Sequence, residues 1–175
     1  FDPINTAAGI QKLPFFRFPS DELQFPGGAD VGRNNYHTNY GNGICNGLPS
    51  TNAGPPPGTN YGMAQPNGVF YQQSNIRLTD IQDGTSTTAM ISERMLGDNN
   101  NGVSTPLTDI YGPGTTPGTP DQAAADCRAV DVNDLTKQAW SNSGSQWLNA
   151  GYSSILYWHV LPPNDRSCIF LSSRI

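Results

Sequence analysis

The chain has few side chains of the types that carry out nucleophilic catalysis. It contains two histidines, His37 and His159, and three cysteines. Such a reaction needs a serine or cysteine beside a positioned base, and no Gly-x-Ser-x-Gly sequence marks a nucleophile turn. His159 and Cys168 resemble a thiol–imidazole pair, but two prolines lie between them and a disulfide is the simpler use of the cysteine. The sequence therefore predicts a protein that is not an enzyme and has no catalytic residues.

The carboxylates suggest glycoside chemistry or a metal site. Glycoside hydrolysis uses two facing carboxyl groups, but Glu93 stands beside Arg94 at the end of an apolar run, where a structural ion pair or backbone bond is expected. Asp98-Asn-Asn-Asn-Gly102 offers the hard oxygen ligands that calcium prefers, with Asp98 and Asn100 as candidate ligands. Its glycine comes one position early for a calcium loop, and no glutamate follows at the matching distance. The segment favours a surface turn, with calcium as the second interpretation and no other cofactor.

The three cysteines, Cys45, Cys127 and Cys168, do not have the spacing of a metal site. The polar, lysine-poor composition favours an exported, extracellular or cell-surface protein, in which one disulfide is expected. A Cys127–Cys168 bond would close a loop of about 40 residues and stabilise the fold by roughly 3–4 kcal/mol. Cys45 would then be the cysteine that this disulfide does not include. The alternative is three reduced, buried thiols.

Two phrases combine an apolar stretch with a conformationally demanding turn, and both are interpreted as architecture. Asp83-Gly84 permits a left-handed turn, and the hydroxyls of Thr85 and Ser86 can bond nearby backbone donors. Pro162-Pro163-Asn164 halts strand pairing, because proline lacks the amide hydrogen, and its asparagine can close a turn. These residues, together with Glu93 and His159, therefore form the predicted structural motif.

Composition limits the fold and the partners. With 19 Gly, 15 Pro and 13% charged residues, the chain favours short strands and many turns over long helices. Nine Lys plus Arg and a net charge of −5 provide no basic patch for nucleic acid. The sequence contains no run of about 18 apolar residues, so it predicts no contact with a membrane. We expect one globular domain over residues 1–175, of the α+β class and rich in β-structure, within a longer chain.

The order of elements follows from periodicity and breaker residues. A helix is predicted over 121–130, where alanines follow a Pro-Asp start. A central strand is predicted over 88–95, because its apolar run is continuous. Other strands are expected over 69–71, 76–81, 155–161 and 169–171, an extended or edge segment over 13–18, and an irregular loop over 27–68.

Several phrases resemble those of a large family of prepilin-like exported proteins abundant in planctomycetes, some of which are labelled solute-binding-like. The phrases begin at Phe15, Asn39, Asp83 and His159, and Cys127 with Trp140 fits the later part of the family. The resemblance covers nearly the whole chain. It implies the plan of a type IV pilin or type II secretion pseudopilin, in which an N-terminal helix anchors a globular head with an antiparallel sheet and long ordered loops.

The chain also departs from that family. The hydrophobic N-terminal helix and the closing His-containing segment are missing, and Phe18 stands where the family has a cysteine before Pro-Ser-Asp. The resemblance implies a structural role in an extracellular filament or cell-surface assembly, through contacts with other protein subunits in a homo-oligomer or filament. The alternative is an extracellular module that binds carbohydrate or another small solute through aromatic side chains and Asn-rich loops.

Overall fold

The computed structural model describes residues 3–21, 32–42, 66–71, 74–148 and 155–170. It confirms the α+β class, with two small three-stranded sheets and little helix. The strands are β1 (Tyr36–Asn39), β2 (Ile91–Glu93), β3 (Ile110–Tyr111), β4 (Gln138–Trp140), β5 (Leu156–Tyr157) and β6 (Ser167–Cys168), and the α-helices are α1 (Thr6–Gly9) and α2 (Pro120–Arg128). In the part of the chain just given, no helix is long and apolar enough to cross a membrane.

Both sheets are mixed, whereas the resemblance implied an antiparallel sheet. The first sheet has the order β2-β1-β5, in which β1 pairs with β2 antiparallel and with β5 in parallel. The second has the order β4-β3-β6, again with one antiparallel and one parallel pair. The third strand of each sheet therefore comes from the last part of the chain.

The predicted helix is present as α2. The Thr119 side chain accepts a hydrogen bond from the Gln122 amide, Pro120 stands in the first turn, and Arg128 lies in the last turn. These are the residues that an N-terminus and a C-terminus favour. Ala123 and Cys127 are buried against Phe170, with Leu161 and Cys168 packed on the same cluster. This cluster joins the helix to the C-terminal segment.

The strand predicted over 76–81 is absent. Residues Leu78–Asp80 form a 3₁₀ turn, because the Asp80 carboxylate accepts a hydrogen bond from the Arg77 amide at 2.9 Å and closes it. Ile76 and Leu78 are exposed. The alternation of apolar and polar residues was a misleading signal here, since no neighbouring strand pairs with this segment in the described structure. Residues 69–71 are likewise not a strand.

The predicted central strand over 88–95 is also wrong in length and position. Only Ile91–Glu93 forms a strand, its three residues are exposed, and it lies at the edge of its sheet. Residues 155–161 contribute only the two residues of β5, and Pro162 comes five residues after the last residue of that strand. The last strand is Ser167–Cys168 in place of 169–171; Leu171 lies outside the described residues.

The interpretation of 27–68 as an irregular loop missed β1, which is the middle strand of the first sheet. The segment 13–18 contains a 3₁₀ turn over Pro14–Phe16. Buried hydrophobic side chains are few and are joined by buried polar ones, among them Asn35, His37 and Asp109. The sheets are therefore held as much by hydrogen bonds to polar side chains as by apolar packing.

Candidate functional site

Residues of both sheets line a half-open cavity of about 520 Å³, which we call the intersheet cleft. The segment that follows the Asp83–Gly84 turn contributes residues 89 and 91–95 to its walls, and the segment around Pro162–Asn164 contributes residues 156–168. Ala123 and Cys127 of α2 and Trp140 of β4 complete them. The sequence interpretation placed these phrases in separate turns, and the structure brings them to one site.

Four large apolar side chains around the cleft are exposed, and we call them the apolar rim. Their exposed fractions are 37% for Phe18, 54% for Ile91, 48% for Met95 and 53% for Leu107. Exposed apolar surface of this kind, gathered around a concavity, typically marks a site of interaction. Three of the four lie on or near β2 and β3, so both sheets contribute to the rim.

A buried histidine lies in the wall of the cleft. His37, on β1, is 1% exposed, and its Nδ1 lies 3.2 Å from the carbonyl oxygen of Leu156 on the neighbouring strand. A carbonyl only accepts hydrogen bonds, so Nδ1 carries the proton and Nε2 is an acceptor. Nε2 is buried without a hydrogen-bond partner. Burial, with the neighbouring Arg94 charge, lowers the pKa of His37 to about 3, so the ring is neutral.

The positively charged side chain of Arg94 lies in the same wall. Arg94, which follows β2, donates through Nη2 to the carbonyl oxygens of Thr108 and Asp109, both at 3.4 Å. Its Nε is buried without a partner, and none of the described carboxylates lies within the 4 Å of an ion pair. Burial lowers the pKa of Arg94 to about 10, and Asp109 acts against that effect. The guanidinium thus stays charged near neutral pH.

A buried hydrogen-bonded node holds this wall in place. The Asp21 carboxylate accepts from the Leu96 amide at 2.7 Å and from Asn35 Nδ2 at 2.6 Å. The same Asn35 nitrogen donates to the Arg94 carbonyl at 2.9 Å. Asn35 Oδ1 accepts from the Phe18 amide. The side chain of Asn35 thereby fixes one rim residue and the cationic residue relative to β1.

The Asp83–Gly84 turn has the predicted left-handed conformation but lies outside the cleft. Gly84 has φ +87°, and its carbonyl accepts hydrogen bonds from the hydroxyls of Thr87 and Thr88. Thr87 also donates to the Asp83 carbonyl. The predicted hydroxyls, those of Thr85 and Ser86, are exposed and are not the ones that close the turn. The turn therefore leads into the segment that carries β2.

The Pro162-Pro163-Asn164 segment forms a turn at the cleft. Asn164 is left-handed with φ +65°, and the Asp165 amide donates to the Pro162 carbonyl at 3.3 Å. His159 is exposed and lies outside β5, so the expectation of a histidine inside a buried strand is wrong. It lies against Tyr157, with 6.0 Å between ring centroids.

The carboxylates do not form the pairs that the sequence suggested. Glu93 is exposed on β2, and none of the described ion pairs includes it. Asp98 Oδ1 accepts from the Asn100 amide at 2.9 Å, and Oδ2 accepts from Thr105 Oγ1 at 2.8 Å, which is the predicted surface turn. Within the described ranges, no three His, Cys, Asp or Glu residues are gathered for a metal. Calcium binding at Asp98 stays a prediction.

The structure contains the predicted disulfide. Cys127 on α2 and Cys168 on β6 are bonded, with 5.8 Å between their Cα atoms. The sulfur of Cys168 is consequently not available as a thiolate in this oxidised form. Cys45 lies outside the described residues.

Comparison with protein families gives one match. The profile of a family described as "Protein of unknown function (DUF1559)" matches residues 1–160, which is most of the chain. The chain belongs to the DUF1559 family. A search of curated proteins and a search of solved structures each found no match. Membership of DUF1559 agrees with the expectation that the chain belongs to a poorly characterised family.

The cleft of this DUF1559 protein has two residues that sequence reasoning missed as a pair. His37 lies in an Asn-rich stretch that was interpreted as a loop. Arg94 was considered only as an ion-pair partner of Glu93. The signal that was present is the local density of Asn around His37, since buried amides can replace apolar packing by bonding main-chain groups. Asn39 shows this, because its amide donates to the Ala89 carbonyl at 2.7 Å and its oxygen accepts from Gly41.

Proposed function

We propose that this chain is a non-catalytic assembly module, the head of a pilin- or pseudopilin-like subunit. In this proposal it works at the cell surface or outside the cell, and its intersheet cleft is its contact surface for other protein subunits. The partner surface is apolar, because the rim that must be covered is apolar.

The observation that carries the proposal is the apolar rim around a preformed concavity. Ile91 and Leu107 are more than half exposed; Ile91 lies on β2 of the first sheet, and Leu107 lies three residues before β3 of the second. Burying such a pair in a contact removes apolar area from water, which is the main favourable term in protein association. The rim is attached to rigid elements, since Asn35 and the strand pairs hold its base.

Two further observations support the proposal. The Cys127–Cys168 disulfide suits an oxidising compartment such as the cell exterior. The same bond removes the cysteine that could have paired with His159 in a thiol–imidazole arrangement. The resemblance to prepilin-like proteins supplies the kind of assembly.

The experiment compares two double variants of the full-length gene product. Ile91→Ser with Leu107→Ser changes the rim, and Val103→Ser with Leu135→Ser is the matched control, since these two side chains are 55% and 44% exposed and lie outside the cleft walls. Cross-linking of cells that export each variant should recover subunit contacts for the wild type and the control, and lose them for the rim variant.

Equal cross-linking of the rim variant and the control would overturn the assignment of the cleft as the contact surface. Intact mass and N-terminal sequencing of the full-length product test the pilin-like plan separately. A mature product without a processed prepilin helix would overturn that plan, whatever the cross-linking shows.

A second candidate function is binding of a carbohydrate or another small solute. The specific observation in its favour is that Trp140, Tyr157 and Trp158 all contribute to the cleft walls, and aromatic faces suit sugar rings. A tryptophan fluorescence titration with a glycan panel tests it. A saturable change with one glycan supports it, and a flat response across the panel removes it.

A further inference from the structure

The side-chain nitrogen of Gln138, on β4, is surrounded by more oxygen atoms than it has hydrogens to donate. Asp109 Oδ2 lies 2.8 Å from it, the Val103 carbonyl oxygen 3.2 Å and the Asn100 carbonyl oxygen 3.3 Å. An amide nitrogen has two hydrogens, so three oxygens share them. These oxygens gather partial and full negative charge where the segment before β3 meets β4.

Two more oxygens of the same side chains have no donor at all. Asp109 Oδ1 and Gln138 Oε1 are buried without a hydrogen-bond partner. Asp109 is 0% exposed, and its other oxygen faces the Gln138 nitrogen and the Thr105 amide. Burial raises the pKa of the Asp109 carboxyl, and the charge of Asp98 adds to that effect. Buried oxygens in this condition cost free energy that a cation bound among them can restore.

The spacing of these oxygens suits calcium. Calcium bonds oxygen ligands at about 2.3–2.6 Å, which places neighbouring ligands roughly 2.8–3.5 Å apart. The end of Gln138 can turn over and put Oε1 where the nitrogen lies, because the two atoms are nearly equal in size. That oxygen then lies 2.8–3.3 Å from the other three. Without a cation the four oxygens repel one another, and with one they become its ligands.

Solvent reaches this place from the loop, and the intersheet cleft is not involved. Asn100 and Val103 are exposed, and none of the four residues lines the cleft. Water can therefore complete the six to eight ligands, or about that number, that calcium takes. Arg94 donates to the main-chain carbonyl of Asp109 and offsets part of the negative charge. We therefore expect the weak affinity of extracellular calcium modules, with a dissociation constant of roughly 0.1–1 mM.

We propose that the segment between Asn100 and Asp109 binds a calcium ion together with Gln138. The ligands are the Asp109 carboxylate, the Gln138 side-chain oxygen and the main-chain carbonyls of Asn100 and Val103. The ion ties this segment to β4, the edge strand of the second sheet. The inference does not depend on the proposed function, because the site lies outside the cleft.

This set of ligands differs from the one that the sequence suggested. Both carboxylate oxygens of Asp98 accept hydrogen bonds, from the Asn100 amide and from Thr105 Oγ1. The side-chain oxygen of Asn100 accepts from the Gly102 amide. These side chains shape the loop, and the main-chain carbonyls that they position bind the ion.

The first measurement is thermal unfolding of the 175-residue chain at constant ionic strength, with calcium chloride added up to about 10 mM. With a dissociation constant of about 1 mM, Tm should rise by about 3–6 °C at the highest concentration. Magnesium chloride is the control for the effect of a divalent charge. Magnesium demands a smaller octahedral shell and gives up its water reluctantly, so it should raise Tm by less than about 1 °C.

A substitution at Gln138 separates a ligand from a purely structural donor. Gln138→Glu places a second carboxylate among the ligands and removes the amide donor. It should lower Tm without calcium and tighten calcium binding about tenfold in isothermal titration calorimetry. Gln122→Glu is the matched control, because it adds the same charge at an exposed position of α2 and should bind calcium as the wild type does.

A measurement on the wild type requires no substitution. The side-chain NH₂ resonances of Gln138 should move on calcium addition, because turning the amide over removes its hydrogens from the three oxygens. The shift should saturate with the dissociation constant that calorimetry gives. If Gln138→Glu does not fold, these resonances decide the question.

Three results would overturn the inference. The first is an unchanged Tm of the wild type with unmoved Gln138 resonances at the highest calcium concentration. The second is an equal rise of Tm with magnesium, which would show a general ionic effect. The third is equal calcium affinity of Gln138→Glu and Gln122→Glu, which would place the ion elsewhere. Subunit cross-linking decides the proposed function independently of all three.

Discussion

The neutral, buried His37 predicts that the protein loses stability as the pH falls from 7 to 5. The folded-state pKa of about 3 lies far below the ordinary value of 6.5. In this interval the unfolded chain takes up a proton that the folded protein does not, so acid favours unfolding. The stabilising effect is complete above about pH 6.5 and is lost progressively as the pH falls towards 3.

The size of the effect follows from the two pKa values. Linkage between 6.5 and about 3 gives a loss of about 2 kcal/mol between pH 7 and pH 5. Asp109 works in the opposite direction, because burial raises its pKa and the folded state then holds a proton more readily. The comparison of wild type with a His37 variant removes that contribution, since both proteins contain Asp109.

The assay is urea unfolding at pH 7 and pH 5, followed by tryptophan fluorescence. Between these two pH values, the wild type and His159→Gln should each lose about 2 kcal/mol more unfolding free energy than His37→Gln does. The chain has only these two histidines, so the pair of variants assigns the effect. An equal loss in His37→Gln would refute the reasoning. An NMR titration of the wild type that shows His37 protonating near pH 6 would refute it as well.

Three further predictions concern stability. Replacing Cys127 and Cys168 with alanine should cost roughly 3–4 kcal/mol in urea unfolding, and an unchanged midpoint would contradict a structural role for the bond. Gly144→Ala should lower the stability measured by thermal unfolding several times more than Gly114→Ala does. Both glycines have positive φ. A Cβ at 144 would lie 2.3 Å from the Asn34 carbonyl oxygen, whereas one at 114 would meet nothing within 4 Å. Thr119→Ala should cost about 1 kcal/mol through loss of the cap on α2, whereas Thr116→Ala, an exposed neighbour, should cost almost nothing; equal values would contradict the capping role.

The features that the sequence predicted correctly depend on nearby residues. The helix α2 needs its cap, its alanines and its proline, all within about ten residues of one another. The left-handed Gly84 and the turn after Pro162 are likewise local. The disulfide was predicted from composition and from the arithmetic of three cysteines.

The sheets could not be predicted in the same way, because their strands are two to four residues long and depend on distant partners. β1 pairs with residues more than 50 and more than 115 positions away. Its sequence, Tyr-His-Thr-Asn, has no run of apolar residues, and the bonds of buried Asn side chains replace the apolar signal. The cleft was missed for the same reason, since its walls come from seven separate stretches of chain.

The two parallel pairs, β1 with β5 and β3 with β6, govern when the protein can fold during its synthesis. Neither sheet has its third strand until residues 156–168 have left the ribosome. The pairs that form earlier are two-stranded, and isolated two-stranded pairs are marginally stable in water. Long-range pairing of this kind is slow, because loop closure precedes the contacts. A nascent chain that stops before residue 156 therefore lacks the third strand of both sheets, and a chaperone has its opportunity to bind before the last strands arrive.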